Sequence, residues 1–358
     1  MTSARIRQTI RFLRTTDGVK LAWAETGKGP ALVKAANWMT HLEFDCESPV
    51  WRHWIRFFGS HFRFIRYDER GCGLTDWEVD DLSPDRWVAD LEEVSDTAVP
   101  RDPFVLLGIS HGAATCIAYA IRHPERVSRM ILYGGYSRGY AHRRNADSAR
   151  EYGAIVELAR TAWAKDNPAF RQVFTSRFIP EGTPEQIRWF NELCRKTTSP
   201  EMASRLLTAR AQLDVHAILQ EVRVPTLVIH ARDDNVVTVR EGHRLASGIP
   251  GAEFVELDSK NHVLLEHEPA WRRFHEAVLE FTGAGAIAGH AAFAALSPRE
   301  RQVLVLMTEG LANAQIGTRL SISEKTVRNH VSSIFDKLGV WTRAQAMVFA
   351  RDHGFHGL

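Results

Sequence analysis

The sequence predicts an α/β chain. A mostly parallel sheet is broken by a helical insertion and followed by a separate, small all-α domain of four helices. Three observations lead there. Short apolar strands alternate with amphipathic helices through the first three quarters of the chain, which is the pattern of a sheet covered on both faces. Between about Ser137 and Ala217 only helical periods and polar loops occur, with breaks near Pro168, Pro180, Pro184 and Pro200. Beyond a stretch rich in glycine and alanine, four short helical patterns follow without a strand. At 358 residues the chain exceeds one typical domain, and 44% hydrophobic with 25% charged residues is the balance of a globular protein with a sizeable core.

The elements follow in order. Thr9–Arg14 and Val19–Ala24 flank Asp17-Gly18, a hairpin turn signal. Gly27-Lys28-Gly29-Pro30 then breaks the chain before a third strand at 31–35. Trp51–Phe58 has the spacing of a short helix. Phe62–Tyr67 is a strand that runs into Asp68-Glu69-Arg70-Gly71-Cys72-Gly73. Pro84–Ala98 is an amphipathic helix with Trp87, Val88 and Leu91 in its apolar set. Phe104-Val105-Leu106-Leu107 is a continuous apolar run, as expected of a central parallel strand buried on both faces. Ala113–Arg122 is a helix and Met130–Tyr133 a strand. After the insertion come strands at Thr226–His230 and Glu253–Leu257 and a helix at Ala270–Phe281. Residues 283–295 hold three glycines, one bulky aromatic and no formal charge. They read as a linker that spans on the order of 20 Å if flexible, although its alanines also suit a helical spacer. The expected domains are therefore 1–282, with the insertion at about 137–217 as a cap, and 296–358.

Gly108-Ile109-Ser110-His111-Gly112 joins the apolar strand to the next helix. Glycines at those positions permit a strained strand-to-helix turn that lifts a serine hydroxyl clear of the sheet edge, and the helix N-terminus behind it favours developing negative charge. A serine hydroxyl needs a base, and the base needs a third group to orient it. Asp234, with Asp233 as the alternative one position away, follows the strand ending at His230. His262 follows the last strand. Trp38, Trp51, Trp54, Trp77 and Trp87 are many large aromatics for one segment. Most suit core or cap packing, whereas the position of Trp38 abuts the proposed nucleophile.

With Arg66-Tyr67-Asp68-Glu69-Arg70-Gly71-Cys72-Gly73, His123-Pro124-Glu125-Arg126-Val127 and the chain order Ser110, Asp234, His262, residues from about 9 to 282 resemble the α/β-hydrolase family. The resemblance implies an α/β-hydrolase sheet with a helical cap and hydrolysis of an ester, a lactone or a related bond through an acyl-serine. Ser110, Asp234 and His262 are its implied catalytic residues. The family usually has His-Gly after the third strand, where this chain has Ala36-Asn37-Trp38. The backbone N–H groups of Trp38 and His111 are then the implied oxyanion hole.

The second part turns on Ser323–Gly339. Val327, Val331, Ile334 and Leu338 fall at i, i+4, i+7 and i+11, one apolar stripe, with Lys325, Arg328, Asn329 and Ser332 on the opposite side or its flank. Ser323 suits the N-cap and Gly339 the helix end. Upstream, Ser297-Pro298-Arg299-Glu300 is a capping box with proline at the first helical position. It opens a helix carrying Val303, Leu304 and Met307, which Gly310 closes. Ala312–Leu320 and the turn Ser321-Ile322 precede the striped helix, and Thr342–Asp352 follows it. With Leu296–Glu300, Glu309-Gly310-Leu311-Ala312-Asn313, Ile316, Ser323–Val327, His330, Lys337–Val340, Arg343 and Ala346, the stretch closely resembles the LuxR-type helix-turn-helix domain. The resemblance implies that Lys325, Thr326, Arg328, Asn329 and Ser332 contact double-stranded DNA. Lys325 and Thr326 would mainly hold phosphates, and Arg328 and Asn329 would read bases.

The whole chain carries a net charge of only +2, so charge alone announces no nucleic-acid partner. Residues from Leu296 onward hold 8 Lys/Arg against 5 Asp/Glu, so the small positive excess is local to the proposed DNA-binding end. Four scattered cysteines without a Cys-x-x-Cys pair indicate reduced thiols, no disulfide framework and no zinc or other metal site. No cofactor is expected. The N-terminus lacks a signal-peptide core, and no run is long enough to span a bilayer, so a cytoplasmic protein that does not enter membranes is expected. Together these readings predict a DNA-binding transcriptional regulator. Its serine-hydrolase-fold domain would sense, and be equipped to turn over, a small ester-like ligand, and the protein would act as a homodimer. The alternative is a serine esterase or lactonase whose main output is hydrolysis, with DNA binding secondary.

Overall fold

A computed structural model describes residues 6–143, 146–165, 169–284, 293–338, 340, 342–352 and 355. The chain divides into two compact units, Met1–Val278 and Leu279–Leu358. Most of the stretch read as a linker, and Gly339, lie outside the described residues.

The first unit is built on one eight-stranded sheet in the order β1-β2-β4-β3-β5-β6-β7-β8. β1 (Gln8–Arg14) and β2 (Lys20–Thr26) form the expected hairpin, with Gly18 at φ +91° in its turn. β2 runs antiparallel to β4 (Arg63–Tyr67). From β4 the ladder is parallel through β3 (Ala31–Lys34), β5 (Phe104–Ile109), β6 (Val127–Tyr133), β7 (Thr226–Ala231) and β8 (Glu253–Leu257). All six residues of β5 are buried, as its unbroken apolar run requires.

Helices α1 (Leu42–Glu47), α2 (Arg52–His61), α3 (Pro84–Ala98) and α4 (Gly112–Arg122) accompany the first strands. The insertion forms α5 (Ala146–Ala162), α6 (Ala169–Phe178), α7 (Pro184–Thr197) and α8 (Pro200–Ala211). Pro184 and Pro200 open α7 and α8 behind the N-caps Thr183 and Ser199, so these two breaks in the pattern are helix starts. α9 (Val239–Gly248) and α10 (Pro269–Thr282) complete the layer. Two of these helices were not anticipated. α1 has six residues, too few to display a period. α9 contains Gly242, where a Cβ would stand 2.6 Å from the His230 ring, so that glycine serves close packing against β7.

The Asp68–Gly73 segment explains its own composition. Asp68 Oδ2 accepts from the backbone N–H of Leu42 and Leu74 at 3.2 and 2.8 Å. At Gly73 (φ +59°) a Cβ would lie 2.2 Å from that same oxygen. The Arg70 guanidinium is buried and pairs with Asp90 and Asp17.

The second unit holds α11 (Pro298–Thr308), α12 (Asn313–Leu320), α13 (Glu324–Leu338) and α14 (Arg343–Asp352). Val303, Leu304, Met307, Ile316, Val327, Ile334, Ala346 and Ala350 form its core. The capping box of α11 is complete, and its Glu300 does more. Oε1 accepts from Ser333 Oγ, and Oε2 accepts from Ser297 N and Lys337 Nζ, each at 2.6 Å. One carboxylate thereby ties α11 to α13. Burial alone would raise its pKa, but the bonds from Lys337, Ser333 and Ser297 outweigh that and hold it at about 2.

Glu300→Ala leaves those donors without their acceptor and is expected to destabilise the second unit by about 1–3 kcal/mol, read by urea unfolding. A depressed carboxyl stabilises above its ordinary value near 4.5. This contribution should therefore be intact at neutral pH and disappear as pH falls through about 4 toward 2, seen as faster amide exchange in α13.

Candidate functional sites

The turn between β5 and α4 places Ser110 in the left-handed region at φ +54°. Its N–H donates to Tyr133 O at 2.9 Å, and its carbonyl accepts from Ala113 N at 3.1 Å. The flanking glycines are steric necessities. A Cβ on Gly108 would lie 2.8 Å from Ala113 Cα, and one on Gly112 would lie 3.0 Å from Ala36 O.

His262 and Asp234 meet at the ends of their strands. The Nδ1–Oδ2 separation is 2.6 Å, and both residues are buried. Asp234 is fixed in turn, because its Oδ1 accepts from the N–H groups of Val236 and Val237 at 2.7 and 3.0 Å. Asp233 is exposed, and of the two neighbouring aspartates it is Asp234 that meets His262. The cap holds the histidine as well. His262 N donates to Phe178 O of α6 at 2.8 Å, and the Phe178 ring stands edge-on to the imidazole with centroids 5.4 Å apart. His262 Nε2 is buried without a hydrogen-bond partner. Ser110 and His262 thus line one cavity without being bonded to each other. Unliganded sites often leave this bond open until substrate arrives.

That cavity, about 820 Å³ with its mouth included, has walls rich in aromatic and aliphatic side chains. Trp38 lines it together with Ser110 and His111, and its ring packs on Trp163 and Phe174 at 5.6 and 5.3 Å. Met39, the next residue, is also left-handed at φ +62°. The backbone N–H groups of Trp38 and His111 donate to no acceptor among the described residues. Asn37 donates from Nδ2 to Trp38 O at 3.1 Å, and its Oδ1 accepts from the buried Lys34 ammonium. Of the other tryptophans, Trp51 lines the cavity, Trp54 and Trp87 are buried, and Trp77 is exposed.

The His111 side chain points to a second network. Its Nε2 lies 3.3 Å from Glu69 Oε1, while Glu69 Oε2 accepts from Arg210 Nη2 of α8. Burial, and then the Arg210 charge, push the His111 imidazole down to about 4, so it is neutral at neutral pH. Burial alone would raise the Glu69 carboxyl, but Arg210 and His111 outweigh it and hold Glu69 ionised.

In the second unit α13 separates its faces as the stripe predicts. Val327, Val331, Ile334 and Leu338 are buried, while Lys325, Arg328, Asn329 and Ser332 are exposed and Thr326 is half-buried. Ser323 Oγ accepts from Thr326 N at 3.1 Å, the N-cap bond. The turn before it needs Ser321 at φ +54° and Gly317, where a Cβ would stand 2.8 Å from Ile322 O. Arg328 meets Glu324 of its own helix at 3.4 Å, an exposed pair that costs little to open. Arg299 and Arg343 instead donate to the carbonyls of Leu320 and Leu311 and brace the unit.

The family model for "Serine aminopeptidase, S33" matches residues 54–270, and that for "Bacterial regulatory proteins, luxR family" matches residues 294–350. The chain belongs to the α/β-hydrolase family and carries a LuxR-type domain. Among its relatives is 3-oxoadipate enol-lactonase 2 of Acinetobacter baylyi, 28% identical over 274 residues, which are 74% of this chain and 95% of that protein. Among solved structures, a hydrolase from Pseudomonas aeruginosa PA01 superposes with a TM-score of 0.64 at 24% identity, covering 77% of this chain and 98% of the other. The enol-lactonase from Burkholderia xenovorans LB400 does so with a TM-score of 0.62 at 22% identity, covering 76% and 100%.

Within this α/β-hydrolase fold, three residues had no role in the sequence reading. Glu69 and Arg210 are 141 positions apart and meet only through the cap. Gly134 has φ +57°, and a Cβ there would stand 3.1 Å from His262 Cε1 and 3.8 Å from Asp234 Oδ2. Its signal was a glycine immediately after a strand. Gly134→Ala is expected to cost about 1–3 kcal/mol through its positive φ and to displace the His262 ring. Thermal unfolding and the imidazole NMR signals check this, and an unmoved ring with unchanged stability would contradict it.

Proposed function

We propose that this chain is a DNA-binding transcriptional regulator whose α/β-hydrolase domain senses and hydrolyses a small carboxylic ester or lactone. The supporting observation is the joining, in one chain, of a LuxR-type domain with a free cationic helix face and a cavity where Ser110 lies beside the bonded His262–Asp234 pair. Residues 1–282 form the sensing domain, 283–295 the linker and 296–358 the DNA-binding domain. The protein acts in the cytoplasm, where its operator is. Among the described residues no helix is long and apolar enough to cross a membrane.

The chemistry follows from the placement of the groups. Ser110 Oγ attacks the carbonyl as His262 Nε2 takes its proton, and Asp234 holds the imidazole with Nδ1–H directed at its carboxylate. The N–H groups of Trp38 and His111 receive the developing oxyanion. Proton return to the leaving alcohol gives the acyl-serine, and water attacks in the second half with His262 again as base. The enol-lactonase relative supports an ester or lactone as the substrate class. The intact His262–Asp234 bond also favours the reading in which hydrolysis is itself an output, beside control of DNA binding.

On the DNA side, α13 enters the major groove. Lys325 and Thr326 hold phosphates, Arg328 and Asn329 read base edges, and Ser332 flanks them. A homodimer places two such helices on half-sites about 34 Å apart or a multiple of that distance. Ligand or acyl-serine formation shifts that spacing and so changes affinity.

Duplexes selected from a random pool by the full chain should bind with an affinity that changes when an ester ligand is added. Unchanged affinity with esters that demonstrably occupy the cavity would falsify the sensing step. A fluorophosphonate should label the wild-type chain and not Ser110→Ala, and labelling of that variant would move the nucleophile elsewhere. Arg328→Ala should weaken the selected duplex by about 1–3 kcal/mol relative to random DNA. An equal loss on both would make Arg328 a phosphate anchor.

A further inference from the structure

The Arg210 guanidinium is an unusual wall for an apolar cavity. Arg210 is 3% exposed and lines the cavity beside Ser110 and His262. Its Cζ lies 4.6 Å from the centre of the Trp38 ring, the residue that abuts the nucleophile. Nη2 is taken by Glu69, but Nε and Nη1 are buried with no hydrogen-bond partner. Buried donors of this kind are costly to leave unpaired, so a ligand filling the cavity binds best when it brings an acceptor to them.

The kind of acceptor follows from charge. Glu69 already neutralises the guanidinium at close range, so a ligand carboxylate would lose its hydration against aromatic walls for little return. A hydroxyl would bring, beside its lone pairs, a donor for which the guanidinium offers no acceptor. A ketone-type carbonyl brings only acceptor lone pairs.

We propose that Arg210 is the specificity-determining residue of this cavity and selects esters or lactones that carry a second, neutral carbonyl oxygen away from the scissile bond. This rests on the reading of Ser110 as the nucleophile of an ester or lactone hydrolase, and its test is kept separate from turnover.

The probes are methyl 6-oxoheptanoate and methyl heptanoate, titrated by tryptophan fluorescence into the full-length Ser110→Ala chain. The keto ester is expected to bind about tenfold more tightly, and this preference should disappear in Ser110→Ala/Arg210→Met. Since Arg210→Met strands a buried carboxylate, the variant that also carries Glu69→Gln removes both charges and should show the same loss. Glu69→Gln with Arg210 intact frees the guanidinium charge and should turn the preference toward monomethyl heptanedioate, a shift that a merely structural arginine would not produce. Equal affinity for the keto and plain esters, including binding of neither, overturns the proposal, as does a keto preference that survives Arg210→Met. Release of p-nitrophenol from p-nitrophenyl heptanoate by the chain with Ser110 in place is scored separately. Its absence beside an intact keto preference overturns the hydrolase reading and leaves Arg210 in its role.

Discussion

The left-handed backbone at Ser110 constrains the rest of the first unit. A non-glycine residue at φ +54° costs free energy, and the surroundings must hold it there. Here the cost is met by a strand buried along its whole length on one side and a helix on the other. Two glycines let the first turn of that helix pass within contact distance of Ala36 and of the end of β5. The turn aims the hydroxyl at the cavity and sets the His111 N–H beside it. The segments after β7 and β8 bring Asp234 and His262 together, with His262 at the cavity, and Gly134 leaves room beside the pair.

The cap does more than roof this arrangement. Through Phe178 it supplies the carbonyl that fixes the His262 backbone, and through Arg210 it reaches Glu69 and the His111 side chain. His262, the candidate base, and one candidate oxyanion donor are therefore both braced from the insertion. A buried ion pair of this sort contributes little net stability. Its effect is to register α8 against the β5–α4 turn and to leave guanidinium donors at the cavity wall. Through Arg210 the cap helix α8 itself forms part of the cavity wall.

The second unit reaches rigidity by other means. Four short helices bury a small core, and polar braces supplement it where apolar area is scarce. Glu300, Arg299 and Arg343 each satisfy backbone or side-chain groups on a neighbouring segment. These three charged side chains are engaged within the unit. What α13 leaves exposed is the face with Lys325, Arg328, Asn329 and Ser332.

Much of this was legible in the chain itself. Alternating apolar periods set the strands and helices to within three residues, since burial on one face imposes its period on the sequence. The Gly-x-Ser-x-Gly turn, the order Ser110, Asp234, His262 and the apolar stripe of α13 were all local patterns. Helices α1 and α9 were missed because one is too short for a period and the other contains a glycine placed for packing. Tertiary structure alone decided that Asp234 and not Asp233 bonds His262, because one residue's difference at a strand end turns the carboxylate inward or outward. It alone decided that Arg210 lines the cavity, that Glu69 pairs with it and that Gly134 stands against His262. Their partners lie far away in sequence, and such contacts leave no periodic trace, because they arise only when the sheet and the cap close on the same space.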